Sequence, residues 1–382
     1  MKVLSVFGTR PEAIKMAPVV AALDHSEGID GRVCVTAQHR EMLDQVLALF
    51  GIVPDVDLDI MTRGQSPRAV TARVLESVDG VLEDERPDLV LVHGDTTTTM
   101  AAAMAAFYRK VPVGHVEAGL RTHDRYYPFP EEMNRVLADA LSTHHYAPTS
   151  TARENLLAGG IDPGSIVVTG NTVIDALLSV AATDGAPGHE LDLEGRIVLV
   201  TAHRRENFGV PLENICRGLR DVADRFDDVT IVYPVHLNPS VQSVAREHLS
   251  GHDRILLTEP MSYGPFVRLL SDADIVVTDS GGIQEEAPSL GKPVLVLRNE
   301  TERPEAVEAG TVRLIGTDRE RVVNELSRLL TDSVAYDRMA SAVNPYGDGR
   351  AAGRIVDSIR WSFGLDGAER PREFVAATGS VA

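Results

Sequence analysis

One pattern recurs along this chain and leaves few folds open to it. A short apolar segment ends at a polar or charged residue, and a helical segment follows. Lys2 to Phe7 is followed in this way by Gly8-Thr9-Arg10, and Asp88 to Val92 by His93-Gly94-Asp95. Strands that alternate with helices favour parallel sheets covered by helices. The sequence therefore predicts an α/β protein.

The pattern breaks once and then starts again, which indicates two domains. The break is a polar, turn-rich segment from Thr183 to Glu190, and 382 residues are too many for one core of ordinary size. We predict two doubly wound, Rossmann-like domains, at residues 1–182 and 191–345. An amphipathic helix ends near residue 363, and the small, polar residues 364–382 are predicted to be a flexible tail.

The overall charge and the cysteine content exclude several classes of partner. A formal net charge of −19 opposes binding to nucleic acid or to an anionic membrane. Neither a signal-peptide core nor an apolar run of about 20 residues is present. The two cysteines, Cys34 and Cys216, stand far apart in apolar or helical context, which is typical of reduced thiols. The expected compartment is the cytoplasm.

The turn at Ser280-Gly281-Gly282 is a candidate anion site. It follows the apolar run Ile275 to Val277 and opens a helix, whose first N–H groups have no partner within the helix. Those groups and the helix dipole attract a phosphate. An ordinary strand-to-helix turn with a serine cap explains the same residues equally well.

Other chemically active residues also follow strands. Ligands of parallel sheets bind outside the carboxyl ends of the strands, so these side chains are predicted to surround a common ligand. The basic residues and the Ser-Gly-Gly turn suit a diphosphate, a carboxylate on the following helix suits ribose hydroxyls, and three acids remain for a sugar. The residues are Arg10, Asp95, Glu117, Glu131, His203, Arg204, Glu286 and Arg303.

Simpler interpretations of these residues stay open at this point. Asp95 could cap the helix after it, and Glu131 at a helix start could favour the helix dipole. His93, His115 and His123 lack the spacing of metal ligands, so no metal site is predicted. His236 could only stabilise a proline-bounded turn.

Seven motifs, in this order, resemble those of the bacterial non-hydrolysing UDP-N-acetylglucosamine 2-epimerases. The resemblance runs from the first strand to Arg350 and leaves mainly the tail uncovered. The motifs are Phe7-Gly-Thr-Arg-Pro-Glu12, His93-Gly-Asp-Thr-Thr-Thr98, His115-Val-Glu-Ala-Gly-Leu-Arg121, Pro130-Glu-Glu-Met-Asn-Arg135, His203-Arg-Arg-Glu-Asn207, Asp279-Ser-Gly-Gly-Ile-Gln-Glu-Glu286 and Thr301-Glu-Arg-Pro-Glu305.

The resemblance implies the GT-B type of fold, in which two such domains face each other across a cleft. Residues 346–363 would form a final helix that packs back on the first domain. It further implies a cytoplasmic homodimer that interconverts UDP-GlcNAc and UDP-ManNAc for cell-surface polysaccharides, without a cofactor. Catalytic residues would be Asp95, Glu117, Glu131 and His203. Substrate would be bound by Arg10, Lys15, Arg135, Phe266, Ser280, Gly281, Gly282, Glu286 and Arg303.

Members of the family also bind a second UDP-GlcNAc as an activator. By position, that site would involve Gln38, Glu41, Gln65, Arg204 and His236. Relatives often carry Gln where this chain has Glu41, which puts a carboxylate near an anionic effector.

Elimination and re-addition of UDP would explain the three acids. The C2 proton of an N-acetylhexosamine becomes removable as the bond from C1 to UDP breaks, and no Gly-x-Gly-x-x-Gly fingerprint for NAD is present. Proton transfer on both faces of C2 requires more than one carboxylate. Alternatives are a hydrolysing epimerase, an epimerase of a related UDP-diacetamido sugar, a GT-B glycosyltransferase and a nucleotide-sugar sensor without catalysis.

Overall fold

A computed structural model describes residues 1–37, 40–60, 65–183, 188–189 and 191–376. The chain divides into two compact units. Unit 1 contains Met1–Ala176 and Tyr346–Val375, and unit 2 contains Leu177–Pro345. The first division falls inside the helix Thr172–Ala182, slightly before the predicted boundary at residue 182.

Unit 1 is built on a seven-stranded parallel sheet. Its strands are β1 (Lys2–Phe7), β2 (Asp30–Val35), β3 (Val56–Asp57), β4 (Leu89–His93), β5 (Val113–Val116), β6 (His144–Ala147) and β7 (Ile166–Val168). The helices that begin in this part of the chain are α1 (Arg10–Asp24), α2 (Arg40–Leu49), α3 (Pro67–Glu85), α4 (Thr97–Tyr108), α5 (Glu131–Leu141), α6 (Ser150–Ala158) and α7 (Thr172–Ala182), with a 3₁₀ turn at Pro163–Ser165.

Unit 2 is built on a six-stranded parallel sheet. Its strands are β8 (Arg196–Thr201), β9 (Val229–Pro234), β10 (Ile255–Thr258), β11 (Ile275–Thr278), β12 (Val294–Val296) and β13 (Val312–Leu314). Its helices are α8 (Val210–Arg225), α9 (Pro239–Leu249), α10 (Tyr263–Asp272), α11 (Gly281–Glu286), α12 (Pro304–Glu308), α13 (Arg319–Thr331) and α14 (Ser333–Ala340), with 3₁₀ turns at Arg205–Asn207 and Ala287–Leu290. The last helix, α15 (Ala351–Ser362), belongs to unit 1 and packs against α1.

In both sheets the strand order reverses beside the first strand of the unit. The orders are β3-β2-β1-β4-β5-β6-β7 and β10-β9-β8-β11-β12-β13. A reversal of this kind opens a crevice at the carboxyl ends of the two strands that flank it, and ligands of doubly wound folds bind there. These crevices lie beyond β1 and β4 in unit 1 and beyond β8 and β11 in unit 2. The prediction of two parallel-sheet α/β domains is confirmed.

The sheets are buried on both faces, which explains their nearly continuous apolar strands. In unit 1, Leu4 and Val92 pack with Val74 of α3 in one fully buried cluster. In unit 2, Val200 and Leu326 belong to the corresponding cluster. Burial of this apolar surface holds each layer of helices on its sheet.

The sequence analysis did not predict α3, although its signals are present. Ser66 accepts a hydrogen bond from the N–H of Ala69, and Pro67 occupies the first turn, where a proline needs no hydrogen bond. Val70, Val74 and Val78 recur at helical spacing and are buried.

The prediction of a flexible tail is wrong for the residues up to Val375. Phe374 is 9% exposed, and its N–H donates to the Val168 carbonyl, 2.8 Å away, on the outer edge of β7. Glu373 pairs with Arg153 at 2.7 Å. An edge strand has unpaired backbone groups, so the segment gains both a hydrogen bond and apolar burial there. Residues 377–382 lie outside the described part.

No helix within the described ranges has the length and apolar composition that crossing a membrane requires.

Candidate active site

In unit 1, the turns after β1 and β4 are joined by the carboxylate of Glu12. One oxygen accepts from the N–H groups of Gly8 and Thr9, at 3.0 and 2.7 Å. The other accepts from the hydroxyls of Thr96 and Thr99, at 2.7 and 3.2 Å. Burial raises the pKa of Glu12, and these hydrogen bonds oppose the shift. Glu12 therefore holds together the two turns that flank the crevice, a role the sequence analysis did not assign to it.

Asp95 follows this second turn, and its carboxylate does not cap α4. Thr96 caps that helix instead, because its side chain accepts from the N–H of Thr99. The Asp95 carboxylate forms an ion pair with Arg135, and the Asp95 carbonyl accepts from Asn134 at 3.0 Å. Asp95 is therefore available to a ligand as a carboxylate compensated by one cation.

Glu117 lies at the end of β5 in a strained conformation. Its φ is +66°, which side chains other than glycine rarely adopt and which is typical of functional sites. The Oε2 atom accepts from Lys15 and, at 3.0 Å, from Asn171. Lys15, predicted to contact the diphosphate, is thus paired with an acid of its own unit.

Glu131 differs from the other two acids. It is the first residue of α5, and Pro130, at the cap position, makes no side-chain hydrogen bond. Within the described residues, the Glu131 carboxylate has neither a hydrogen bond nor an ion pair, whereas Asp95 and Glu117 each have a cation.

A buried network supports the turn between β4 and Asp95. His115 contacts Asp139 through Nδ1 at 2.6 Å and the Gly94 carbonyl through Nε2 at 2.7 Å. Arg121 donates to the other oxygen of Asp139 at 2.6 Å. Burial would raise the pKa of Asp139, but His115 and Arg121 outweigh it and keep that pKa below its ordinary value. The network positions the backbone next to Asp95.

Residues of unit 1 alone line a cleft of about 1190 Å³. The three acids line it, and so do two residues predicted for the activator, Glu41 and Gln65. Gln38 lies outside the described residues. Arg10 is the first residue of α1, directly after the turn that follows β1, but it is not among the residues that line the cleft. Within the described ranges, no group of three or more His, Cys, Asp or Glu side chains is arranged to hold a metal ion.

In unit 2, Asp279 organises the turn after β8. This buried carboxylate accepts through Oδ2 from the backbone N–H groups of His203 and Arg204, at 2.9 and 2.8 Å, and from Asn207 at 2.9 Å. Its Oδ1 lies 3.6 Å from His203 Nδ1. The His203 ring stacks on His236, with centroids 5.6 Å apart. Burial lowers the pKa of His203, and Asp279 opposes the shift.

His236 also stabilises its own turn, because its Nδ1 accepts from the N–H of Asn238 at 3.1 Å. The Asn238 side chain in turn caps α9. His236 therefore does stabilise its proline-bounded turn, as the simpler interpretation has it. Its ring also stacks on His203, a predicted site residue.

The turn after β11 leaves the start of α11 open. Ser280 is at the cap position but makes no capping hydrogen bond, so the serine-cap interpretation is wrong. Gly281 and Gly282 form the first turn of the helix. A Cβ atom added at Gly281 would lie 3.6 Å from Arg204 Nη2, so the Arg204 guanidinium is close to this turn. Arg204 also pairs with Glu302 at 3.3 Å.

The remaining predicted residues of unit 2 lie on the elements around this turn. Glu286 ends α11, is buried, and accepts from the Tyr263 hydroxyl at 3.4 Å. Phe266, one helical turn after Tyr263, is partly exposed on α10. Arg303 pairs with Glu285. Tyr263 was not predicted, and only its position beside Phe266 could have suggested it.

Comparison with known proteins identifies the family of this chain. A family model described as UDP-N-acetylglucosamine 2-epimerase matches residues 21–360. The UDP-N-acetylglucosamine 2-epimerase of Escherichia coli (strain K12) is 55% identical over 370 residues, which cover 94% of this chain and 98% of that protein.

Two solved structures are similar over nearly the whole chain. The crystal structure of UDP-GlcNAc 2-epimerase from Neisseria meningitidis bound to UDP-GlcNAc is 50% identical, with a TM-score of 0.84, over 94% of this chain and 99% of that chain. A co-structure of S. aureus MnaA with UDP is 47% identical, with a TM-score of 0.84, over 98% of this chain and 100% of that chain. With the family model and these relatives matched almost end to end, the chain belongs to the UDP-N-acetylglucosamine 2-epimerase family.

Proposed function

We propose that this protein interconverts UDP-GlcNAc and UDP-ManNAc by inverting carbon 2 of the sugar. The observation that carries the proposal is the cleft of unit 1, which is lined by Asp95, Glu117 and Glu131 in a chain of the epimerase family. Three carboxylates that line one cleft suit repeated proton transfer better than they suit binding of an anion.

The proposed route is elimination followed by re-addition. The bond between C1 and the UDP oxygen breaks and its electron pair leaves with UDP, while a carboxylate takes the C2 proton. The electrons of the C2–H bond form the C1–C2 double bond of 2-acetamidoglucal. UDP then adds back to C1, and C2 receives a proton on the opposite face. The route consumes no oxidant, so it needs no cofactor.

The ion pairs favour different roles for the three acids. We assign the C2 proton transfers to Asp95 and Glu131 and a supporting contact to Glu117. Within the described residues the Glu131 carboxylate makes no hydrogen bond or ion pair and lines the cleft, whereas Glu117 is already held by Lys15 and Asn171. Arg135 holds the Asp95 carboxylate in position at the lining of the cleft.

Unit 2 is proposed to bind UDP. The open turn at Ser280 to Gly282 offers backbone N–H groups to the phosphates, and Glu286 would accept from the ribose hydroxyls. His203, Phe266 and Arg303 would complete the contacts of this unit, with Arg10 and Lys15 from unit 1. Stabilisation of the departing UDP is the electrostatic part of the catalysis.

We further propose a cytoplasmic homodimer and an activating second UDP-GlcNAc. The activator would contact Gln38, Glu41, Gln65, Arg204 and His236. The two free, buried cysteines fit a reducing compartment. Arg40, the neighbour of Glu41, is already paired with Asp57 and Asp59 and therefore does not offset the negative charge of Glu41. That charge would weaken the binding of an anionic activator.

The test is to incubate the purified protein with UDP-GlcNAc in D2O, without NAD or added metal. We expect UDP-ManNAc and deuterium at C2 in both sugars. Free ManNAc with UDP would indicate a hydrolysing epimerase. Turnover of only a UDP-diacetamido sugar, or only transfer to an acceptor, would indicate those alternatives. Binding of UDP-GlcNAc without any deuterium exchange at C2 would indicate a nucleotide-sugar sensor without catalysis.

A further inference from the structure

Asn171 is a buried residue that contacts one of the three acids but does not line the cleft. It lies between β7 and α7 and is 3% exposed. Its Nδ2 atom donates to Glu117 Oε2 at 3.0 Å. Among the described residues, Glu117 is part of the lining of the unit 1 cleft and Asn171 is not. Any influence of Asn171 on a ligand there therefore passes through the acid that it holds.

The orientation of the Asn171 amide is fixed from its other end. Its Oδ1 atom accepts from the N–H of Val173 at 3.1 Å. The reversed amide would turn its NH2 group toward that N–H and its oxygen toward the Glu117 carboxylate, and both contacts are unfavourable. The donor of Asn171 therefore points at Glu117 in a single arrangement.

Lys15, the other partner of Glu117 Oε2, does not define a direction in the same way. Its ammonium group donates to the same oxygen but sits on a flexible four-carbon stem. The amide of Asn171 is planar, short and held at both ends. Glu117 also has a strained backbone, with φ at +66°, and such a conformation persists only where the surroundings hold the residue. The amide is one of the contacts that hold it.

The backbone around Asn171 is held by the segment that returns to unit 1 after residue 345. The Asn171 N–H donates to the Tyr346 carbonyl at 2.7 Å. One helical turn further along, the Asp175 carboxylate accepts from the N–H groups of Ala351 and Ala352, at 3.1 and 2.8 Å. The returning segment therefore fixes the position from which the Asn171 side chain extends.

We propose that Asn171 is a positioning residue for the reaction, which orients the Glu117 carboxylate in the cleft through its side-chain amide. The inference rests on the proposed function, in which Glu117 makes a supporting contact to the sugar. It adds to the site a residue that does not touch the substrate, and it makes the returning segment at Tyr346 part of the support of that site.

The alternative is that Asn171 only caps α7. It directly precedes that helix, and its Oδ1 accepts the capping hydrogen bond from Val173. Asn, Asp and Ser cap helices about equally well, so a change of Asn171 to Asp or Ser keeps this role. Neither change keeps the donor to Glu117, because a serine side chain ends one bond earlier and a carboxylate has no proton to donate.

The experiment compares Asn171→Ser and Asn171→Asp with Asn155→Asp as the matched control. Asn155 belongs to α6 of the same unit, and its amide donates to a backbone carbonyl, that of Gly119, at 3.0 Å. For each variant, kcat and KM for UDP-GlcNAc are measured from about pH 5.5 to about pH 8.5 and divided by the wild-type values at the same pH. The urea midpoint is measured over the same range.

For Asn171→Ser we expect kcat to fall about 10- to 100-fold at every pH, as for the loss of one hydrogen bond to a charged group, with KM within about 3-fold of the wild type. For Asn171→Asp the loss is larger at high pH and is partly recovered as the pH falls. Two carboxyl groups in contact then share a proton, and the O–H group replaces the lost donor. Asn155→Asp keeps a constant ratio to the wild type.

Stability gives a readout that does not depend on the reaction. Lys15 and His93 also face the Glu117 carboxylate, and they are the same in all the variants. The introduced carboxyl group of Asn171→Asp binds its proton more tightly in the folded protein than in the unfolded chain, because it lies beside Glu117. Its urea midpoint should therefore fall relative to that of Asn171→Ser as the pH rises.

Two results would overturn the proposal. One is a kcat of Asn171→Ser within about 3-fold of the wild type. The other is Asn171→Asp whose kcat and urea midpoint do not change with pH relative to Asn171→Ser. Failure of the proposed function looks different: the wild type would release free ManNAc instead of forming UDP-ManNAc. The same ratios for that hydrolysis, and the urea midpoints, would still test the role of Asn171.

Discussion

At the scale of single residues, the three acids of the cleft differ most in their partners. The sequence predicts all three as site residues, because each follows a strand or begins a helix. The pairs of Asp95 with Arg135 and of Glu117 with Lys15 join residues far apart in the chain, so no local pattern could reveal them. They matter for mechanism because each cation fixes the position of the carboxylate that it holds.

Asp95→Asn tests the proposed role of this acid. We expect turnover and C2 exchange to fall at least about 100-fold, because the amide cannot take a proton. UDP affinity, measured by calorimetry, should stay near the wild-type value, because the proposed UDP contacts lie mostly in unit 2. Asp84→Asn, on the exposed side of α3, is the control and should change neither. A matching loss of UDP affinity in Asp95→Asn would contradict a purely catalytic role.

His93 also predicts how stability depends on pH. Its pKa is about 3 in the folded protein and near 6.5 when unfolded, so the unfolded chain binds the proton more tightly. The contribution is fully present above pH 6.5 and is lost as the pH falls toward 3. The slope approaches about 1.4 kcal/mol per pH unit.

Urea unfolding of wild type and His93→Leu between pH 3.5 and 7.5 measures this contribution as a difference, since other titrating groups cancel. We expect the variant to become more stable relative to the wild type as the pH falls. Parallel curves would show that the ring does not stay neutral in the fold.

At the scale of elements, strand ends were predictable and the links between them were not. The boundaries of β4, β5, β8 and β11 followed from apolar runs and turn residues, so the positions after them followed too. The Thr9-Arg-Pro-Glu12 segment has the spacing of a capping box, so the local contacts between Glu12 and Thr9 could be predicted from the sequence. The contacts of Glu12 with Thr96 and Thr99 depend on β1 pairing with β4, which only the tertiary structure decides.

The composition of the segment after α15 predicts a flexible tail, but Phe374 in this segment packs against the edge of β7. Phe374→Ala should destabilise unit 1 by about 3 kcal/mol, because an almost fully buried ring is lost from the edge of β7. Val375→Ala is the matched control, since that side chain is 82% exposed. The measurement is the urea midpoint followed by near-ultraviolet circular dichroism. Equal midpoints for the two variants would mean that the contact of Phe374 contributes nothing.

At the scale of the whole molecule, the repeated pattern predicted the two parallel sheets but not their strand order. In each sheet the reversal lies beside the first strand, and this places Asp95 of unit 1, and His203 and Ser280 of unit 2, at the crevices of their own sheets. The acids are predicted in one unit and the proposed UDP contacts mainly in the other. A chain that binds UDP in unit 2 can thus lose epimerisation through changes confined to unit 1.

The division of unit 1 between two distant parts of the chain has a consequence during synthesis. Most of unit 2 is the continuous segment of residues 177–345, whereas unit 1 is completed only by residues 346–375, which cover α1 and the edge of β7. At about 5–20 residues per second, roughly 10–40 seconds pass between the synthesis of residue 176 and that of residue 375. Throughout that time the nascent first unit exposes an open sheet edge and an apolar helix face. Unit 1 therefore begins to be translated before unit 2 but is completed after residue 345, and it is the unit for which a ribosome-associated chaperone matters most.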